Sequence, residues 1–459
     1  MMADRIRFGT DGVRGRVGAD FGTDDIERLG AVVAAEWPRH HVLIGHDGRE
    51  SGAMLLSAFA RGVQSRGGTV VNAGLVPTPT LAFAARHRNC VAASITASHN
   101  PWQDNGVKVF APGGSKLSDE TQRRIETLWH AAPPAGATTP RSDASARPSV
   151  ESSGAESSGA ESTSVDGAVL EEYVGALGKT LGVAPFGDVG IAVDCANGAM
   201  SSVAGRILAA LGVRADIVND EPDGRNINEG CGATHPEALA ARCARLGVVG
   251  VAFDGDGDRL IAVDEKGNVV DGDRLIALAA IDLKQRNLLA NDTVVVTSMT
   301  NLGFHRAMKR HGITAVVTEV GDRAVLAAMD DGGFVLGGEQ SGHIIHARHA
   351  TTGDGLLSAI LLLDLVRRSK RTLDDLARDV MARVPQVLRN VRVAQRPDDV
   401  ESLLSDLLTR ERDALGDDGR IVVRVSGTEP LVRIMVEAHS QSVADDVATR
   451  LERAVIARA

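Results

Sequence analysis

"VVGVAFDGDGDRLIAVDEKGN", residues 248–268, runs from an apolar stretch into three aspartates separated by single glycines, Asp254, Asp256 and Asp258, and on into a second apolar stretch. The first stretch has the length and composition of a buried strand, and the glycines let the chain curl where that strand ends. "RLIAVD" with "EKGN" behind it reads as a second strand followed by a hairpin turn. Three carboxylates within five residues repel one another, and a divalent cation with hard oxygen ligands would resolve that repulsion. An EF-hand is excluded, because its sixth position is Arg259 rather than glycine and a strand follows instead of a helix. A phosphatase with Asp254 as nucleophile, and a plain acidic turn, stay open on these residues alone.

Outward from this loop the chain alternates short Val/Ile/Ala runs with amphipathic helical patterns, which predicts parallel sheets covered by helices. A first block holds "HVLIG" from residue 41, "TVVNAG" from 69 and "CVAASI" from 90; a second holds "VGIAVD" from 189, "ADIVN" and "VVGVAF"; a third holds "TVVVTS" from 293, "TAVVTEV" and "GFVLGG". Each block reads β-α-β-α-β. Thr234 and Glu237, with Pro236 between them, predict a capping box at a helix start. Beyond Pro385 the pattern changes to a strand, a helix over about 398–414, paired strands around 421–437 and a terminal helix, an α+β module.

A chain of 459 residues is long enough for three or four domains. Its formal charge of −10 argues against broad nucleic-acid binding. The amino terminus has no apolar signal core and no run of about 18 apolar residues occurs, so the expected location is the cytoplasm, with no membrane partner. The four cysteines, Cys90, Cys195, Cys231 and Cys243, form no C-x-x-C pair and read as small buried residues. Residues 133–168, with "ESSGA" twice in tandem, are too polar and too small in side chain to form a core, and are expected to be a flexible linker or insertion.

Four further stretches carry chemistry. "TASHNPWQDNGVK", residues 96–108, sets Ser98 between polar residues just past a strand end, with Pro101 closing the turn and a loop bringing Lys108. "RVSGTEPLVRIMVE", residues 424–437, places Ser426, Gly427 and Thr428 between strands with Arg424 and Arg433 alongside, a set suited to clamping an anion. "GGEQSGH", residues 337–343, offers Glu339, Ser341 and His343, suited to sugar hydroxyls and proton exchange. "FGTDGVRG", residues 8–15, reads as a glycine-rich loop with polar Thr10, Asp11 and Arg14.

Together these motifs resemble the α-D-phosphohexomutase superfamily over nearly the whole chain, most closely its bacterial phosphoglucosamine mutase branch. "EPDGRNINEGCGATHPEAL", residues 221–239, and "TTGDGLLSAI", residues 351–360, are similar to that branch. The resemblance implies an α/β protein of four domains, three mixed α/β sandwiches and a C-terminal α+β domain, around a central cleft. The expected spans are 1–132, 169–269, 270–384 and 385–459.

It also implies a phosphoserine at Ser98 and one Mg²⁺ held by Ser98 with Asp254, Asp256 and Asp258. Arg14, Lys108 and His343 are expected near the transferring group. Arg259, Glu339, Ser341, Arg424, Ser426, Gly427, Thr428 and Arg433 are expected to bind substrate. The implied reaction converts glucosamine 6-phosphate to glucosamine 1-phosphate, with a sugar 1,6-bisphosphate as intermediate and activator. A phosphorylated amino sugar is the expected partner, and a homodimer is compatible with it. Two departures stand out: Val425 where many relatives have proline, and "GHDGRES", which keeps Arg49 and is expected to matter only structurally. A phosphomannomutase or phosphoglucomutase on the same scaffold, and a non-catalytic sugar-phosphate sensor, remain the alternatives.

Overall fold

A computed structural model of the chain describes residues 8–9, 12–131, 165–180, 186–187, 189–426 and 430–458. Among them the strands form four sheets. The first contains β1 (Phe8–Gly9), β2 (Gly12–Arg16), β3 (Val42–His46), β4 (Val70–Leu75), β5 (Val91–Ile95) and β6 (Asp104–Phe110), ordered β1-β2-β6-β5-β3-β4. Only β3, β4 and β5 run parallel; β6 lies antiparallel to both β5 and β2.

Successive side chains on these strands point to opposite faces, and both faces are buried. Val42, Ile44, Val91, Ala93, Ile95, Val107 and Val109 meet the helices Thr23–Glu36 and Gly52–Ser65. Leu43, Ala92 and Phe110 meet the helix Thr78–Arg88 on the other side. The first pair of helices is in such close contact that a Cβ at Gly62 would lie 1.9 Å from the Glu27 carbonyl, which only glycine permits.

The second sheet contains β7 (Val189–Asp194), β8 (Val213–Val218), β9 (Val249–Phe253), β10 (Leu260–Val263) and β11 (Val269–Val270), ordered β11-β10-β9-β7-β8. The third contains β12 (Thr293–Thr297), β13 (Thr314–Thr318), β14 (Leu336–Gly338) and β15 (Ile344–His346), ordered β13-β12-β14-β15. These two share one core, in which Val193, Val251 and Phe253 pack with Ile276, Val296, Phe304 and Ile360. The fourth sheet, β16 (Gln386–Arg392), β17 (Arg420–Val425) and β18 (Leu431–Glu437), is wholly antiparallel and has its own core.

Several expectations change. The three α/β sheets are mixed rather than parallel, because hairpins add antiparallel strands at one side of each. "FGTDGVRG" forms a β-hairpin across β1 and β2, and Arg14 sits on a strand; Thr10 and Asp11 lie outside the described residues. Lys108 is on β6 rather than in a loop; the turn-forming Asp104-Asn105-Gly106 hides the strand, whose Val107 and Val109 face one core while Lys108 faces the other side. The capping box does not form. His235 precedes a proline, which disfavours helical backbone, and it stands at φ −138°, ψ 66°, so the helix Glu237–Leu246 starts from Pro236.

The helix expected over 398–414 is broken at the buried Leu404 into Val400–Leu403 and Ser405–Leu415. Of the expected linker, residues 133–164 lie outside the described residues. Its last part is built onto the first sheet: Val165 bridges to Asn72, and Arg88 pairs with Asp166 and with Glu172 of the helix Ala168–Thr180. All four cysteines are buried and free. Among the described residues no helix is long and apolar enough to cross a membrane.

Candidate active site

Ser98 follows β5 in a turn with φ 56°, a backbone conformation that a serine adopts only when its surroundings hold it there. The turn is clamped from behind. Arg49, 2% exposed, donates to the carbonyls of Ser98 and Asn100 at 2.8 Å, to that of Asp104 at 3.0 Å, and to that of Pro101. The Arg49 guanidinium is paired with Asp47, which also accepts from the Thr96 hydroxyl at 2.6 Å; the Thr96 oxygen in turn accepts from the Ser98 N–H. Asn228, from the second sheet's module, donates to the same Ser98 and Asn100 carbonyls.

Held this way, the Ser98 hydroxyl donates to Asp254 Oδ2 at 2.6 Å. The glycine-aspartate loop after β9 is equally constrained: a Cβ on Gly255 would lie 2.6 Å from the Ser98 carbonyl. Asp254, Asp256 and Asp258 are all buried, and one oxygen from each falls within 4.8 Å of the others. Lys108 donates to Asp256 Oδ2 at 2.8 Å and to Asp258 Oδ2 at 2.7 Å. Thr78, at the start of its helix, donates to Asp256 Oδ2 at 2.6 Å. Asp256 Oδ1 is buried with no hydrogen-bond partner among the described residues. An acceptor-only oxygen so placed is costly unless a cation meets it, and the donor set of hard oxygens fits a divalent ion.

The charges bear this out. Burial, and after it the neighbouring Asp258 and Asp256, push Asp254 above the usual carboxylate range. Burial pushes Asp258 the same way, but Lys108, His343 and Arg259 outweigh it and hold this carboxyl well below that range. His99, beside the Ser98 hydroxyl at 3.3 Å, is lowered to about 3 by burial and then by Arg259 and Arg14.

His343 lies between carboxylates, its Nδ1 3.6 Å from Asp258 Oδ1 and its Nε2 3.8 Å from Asp322 Oδ2. The Gly353 N–H donates to Nε2 at 3.1 Å, which leaves the ring proton on Nδ1, facing Asp258. Arg259 bridges in β fashion to His343 and holds its Nε 3.9 Å from both Asp254 and Asp258. Arg14 reaches the turn through Asn100 Oδ1 at 3.3 Å.

Ser98, the three aspartates, Lys108, Arg259 and His343 therefore form one cluster, with Arg14 at its edge. Glu339 stands in the β14–β15 hairpin that carries His343, accepting from the Gly321 N–H at 3.1 Å; Ser341 in the same hairpin is exposed. Arg424 and Arg433 face each other across β17 and β18. Burial first, then Arg433, lowers the Arg424 pKa, while Glu339 acts in the opposite sense, so Arg424 lies within electrostatic reach of the hairpin. Ser426 is buried, its N–H donating to the Leu431 carbonyl at 2.9 Å; Gly427 and Thr428 lie outside the described residues.

Asp47, Thr78 and Asn228 escaped the sequence reading, while Arg49, expected to matter only structurally, clamps the turn. The one available signal was an aspartate and an arginine in "HDGRES", directly after a fully apolar strand where exposed polar residues would not be needed.

Four sheets thus set a serine against a buried carboxylate triad whose hard oxygens fit a divalent ion. Residues 5–134, 171–267 and 271–384 match the phosphoglucomutase/phosphomannomutase alpha/beta/alpha domains I, II and III, and residues 388–454 match the C-terminal domain of the same family. The chain belongs to the phosphoglucomutase/phosphomannomutase family.

Curated relatives include the phosphoglucosamine mutase of Frankia alni, 42% identical over 98% of this chain and 97% of that protein. That of Geobacillus kaustophilus is 44% identical over 95% and 94%. Among solved structures, a phosphoglucomutase/phosphomannomutase family protein from Burkholderia thailandensis superposes with TM-score 0.75 at 24% identity, over 97% of this chain and 96% of that one. Aspergillus fumigatus N-acetylphosphoglucosamine mutase, solved with GlcNAc-6P and magnesium, superposes with TM-score 0.68 at 19% identity, over 100% and 96%.

Proposed function

We propose that this chain is a cytoplasmic phosphohexomutase that interconverts glucosamine 6-phosphate and glucosamine 1-phosphate through a phosphoserine at Ser98. The observation that carries the reading is the Ser98 hydroxyl, fixed in a positive-φ turn 2.6 Å from the first of three buried aspartates. The full-length likeness to phosphoglucosamine mutases supports the choice of an amino sugar.

In the forward half-reaction the sugar C1 hydroxyl attacks the phosphorus on Ser98. The new O1–P bond forms as the Ser98 Oγ–P bond breaks, and the hydroxyl proton is taken up within the cluster. The product is a 1,6-bisphosphate, which turns over in the cleft and returns its 6-phosphoryl group to Ser98. Asp254, Asp256 and Asp258 would hold Mg²⁺ together with the Ser98 phosphate, and when bound that ion supplies charge neutralisation for a transfer that needs little covalent help. Lys108 and Arg14 bring positive charge to the phosphoryl oxygens. His343 directs its Nδ1 proton at Asp258 and keeps that carboxylate oriented. Arg259, Glu339 and Ser341 hold the sugar, while Arg424 and Arg433, with Ser426, Gly427 and Thr428, grip the phosphate that is not reacting.

The test is turnover of glucosamine 6-phosphate by protein whose phosphorylation at Ser98 has been mapped by mass, with Mg²⁺ and a trace of sugar 1,6-bisphosphate present. Formation of the 1-phosphate is expected, with Ser98→Ala at least about 10³-fold slower. Loaded protein that makes no 1-phosphate, or Ser98→Ala that retains the wild-type rate, overturns the proposal.

A further inference from the structure

His343 stands between two carboxylates, and each of them is met by a lysine from one stretch of the first module. Lys108, on β6, donates to Asp256 and Asp258. After β6 the chain turns back, with the Ala111 N–H donating to the Ser115 carbonyl at 2.8 Å, and Lys116 on the returning arm bridges to Phe110. The Lys116 ammonium pairs with Asp322 Oδ2, and the two side chains are 8% and 9% exposed. That same oxygen lies 3.8 Å from His343 Nε2. Further contacts fix this hairpin against the third module: the Thr351 hydroxyl donates to the Gly114 carbonyl, and Arg323 pairs with Asp119 at 2.9 Å.

Nε2 accepts the Gly353 N–H at 3.1 Å and so presents a lone pair, which leaves the ring proton on Nδ1, 3.6 Å from Asp258 Oδ1. An anionic oxygen close to an unprotonated ring nitrogen is unfavourable, and it draws the ring proton to its own side. Asp322 opens the helix Asp322–Gly332, whose N-terminus favours the ionised carboxylate. The group that offsets this charge is the Lys116 ammonium. We propose that Lys116 is a positioning residue: by neutralising Asp322 it keeps the His343 proton on Nδ1, against Asp258 of the aspartate loop.

Without the ammonium, Asp322 accepts a hydrogen bond from Nε2–H in place of the one that Nε2 accepts from Gly353. The proton passes from one ring nitrogen to the other with no net gain or loss, and Asp258 Oδ1 then faces a lone pair instead of a donor. Lys116 comes from the first module, whereas Asp322 and His343 belong to the third. The histidine is therefore set toward the aspartate loop only when those two modules are docked on each other.

The first readout needs no turnover. The full chain is labelled with nitrogen-15 histidine, and solid-state NMR reads which ring nitrogen of His343 carries the proton; the His343 signals are those lost in His343→Asn. The wild type is expected to show Nδ1–H and Lys116→Met to show Nε2–H. Lys116→Met combined with Asp322→Asn, which leaves no anionic oxygen at residue 322, is expected to show Nδ1–H again. In protein loaded at Ser98, Lys116→Met should lower kcat at least about tenfold with KM within about twofold, and the added Asp322→Asn should raise kcat again at least about threefold. Lys116→Gln, which keeps a donor to Asp322 without the charge, carries the same expectations where Lys116→Met does not fold. A His343 proton on Nε2 in the wild type, or one that stays on Nδ1 in the single variant, overturns the proposal. So does a kcat that the second substitution fails to restore, because lost packing alone predicts further loss. The rate effect rests on the mutase reading, whereas the place of the proton does not. A wild type without mutase turnover whose His343 proton moves on Lys116→Met overturns that reaction and upholds the positioning.

Discussion

The Ser98 turn and the Arg424–Arg433 strand pair are both proposed to meet phosphate, yet they are held in opposite ways. The turn is locked by Arg49 and Asn228 from two different sheets, and its hydroxyl is committed to Asp254 before any substrate arrives. The strand pair belongs to a sheet with a separate core, and that sheet meets the third module through a polar seam. Asn301 brackets Val384 through both its N–H and its carbonyl, and Glu437 accepts from the Leu302 N–H and from Arg420. Arg424 has its Nε buried with no hydrogen-bond partner among the described residues. The difference separates two tasks. Transfer needs atoms placed in advance, whereas gripping the distant phosphate of an intermediate that turns over suits a guanidinium edge such as that of Arg424.

Substitutions can break this contrast or sharpen it. The largest effect is expected at the triad: Asp256→Ala should lower kcat about 10²-fold or more and weaken Mg²⁺ activation, read from a magnesium titration of the rate. Arg49→Met should come next, through stability. It takes the Arg49 donors from four carbonyls of the turn, of which those of Ser98 and Asn100 keep Asn228, and it takes from the buried Asp47 its paired cation. The cost should be about 3–5 kcal/mol in denaturant unfolding. An Arg49→Met protein as stable as the wild type would mean that the turn is not held from behind.

Arg424→Ala should raise KM by about 10- to 100-fold, as loss of a charge-assisted contact worth about 1.5–3 kcal/mol implies, with a much smaller change in kcat. A loss confined to kcat would erase the distinction between the two regions.

The mildest change probes the seam. Asp273, buried, accepts from the Asn301 N–H at 2.8 Å, and burial pushes its carboxyl up to about 7. The ordinary aspartate value is near 4, so between about pH 4 and pH 7 the folded protein keeps a proton that the unfolded chain has lost. Stability contributed by this group is therefore full below that window and is lost as pH rises through it. Asp273→Asn should remove this dependence, gaining on the wild type as pH rises from 4 to 7 in paired unfolding curves, with turnover unchanged.

How much of this was legible in the sequence follows from particular residues. The aspartate loop, Ser98 and the strand-flanked arginines carry their chemistry in short contiguous motifs, and the repeated apolar runs mark most of the α/β strands. Lys108 was legible as a residue but not as part of a strand, because Asp104-Asn105-Gly106 looks like a turn and the pairing that makes it a strand lies with residues 91–95 and 12–16. The Thr234 capping box failed because the restriction that Pro236 places on His235 outweighed the pattern. Asn228 and Ser98 are 130 residues apart, and no local pattern records that the Asn228 amide donates to the Ser98 and Asn100 carbonyls.

By itself the sequence determined which chemical groups this protein owns: a serine at a strand end, three aspartates on a glycine-jointed loop, and arginines beside a strand connection. Those are properties of composition and short spacing, set by covalent neighbours. Only the tertiary structure decided that Ser98 Oγ meets Asp254, that Lys108 spans Asp256 and Asp258, and that Asn228 reaches the carbonyls of the Ser98 turn. Such placements arise when separate sheets bury their faces against shared helices and bring distant residues within hydrogen-bond range, where burial strengthens the interactions of paired groups and makes unpaired ones costly.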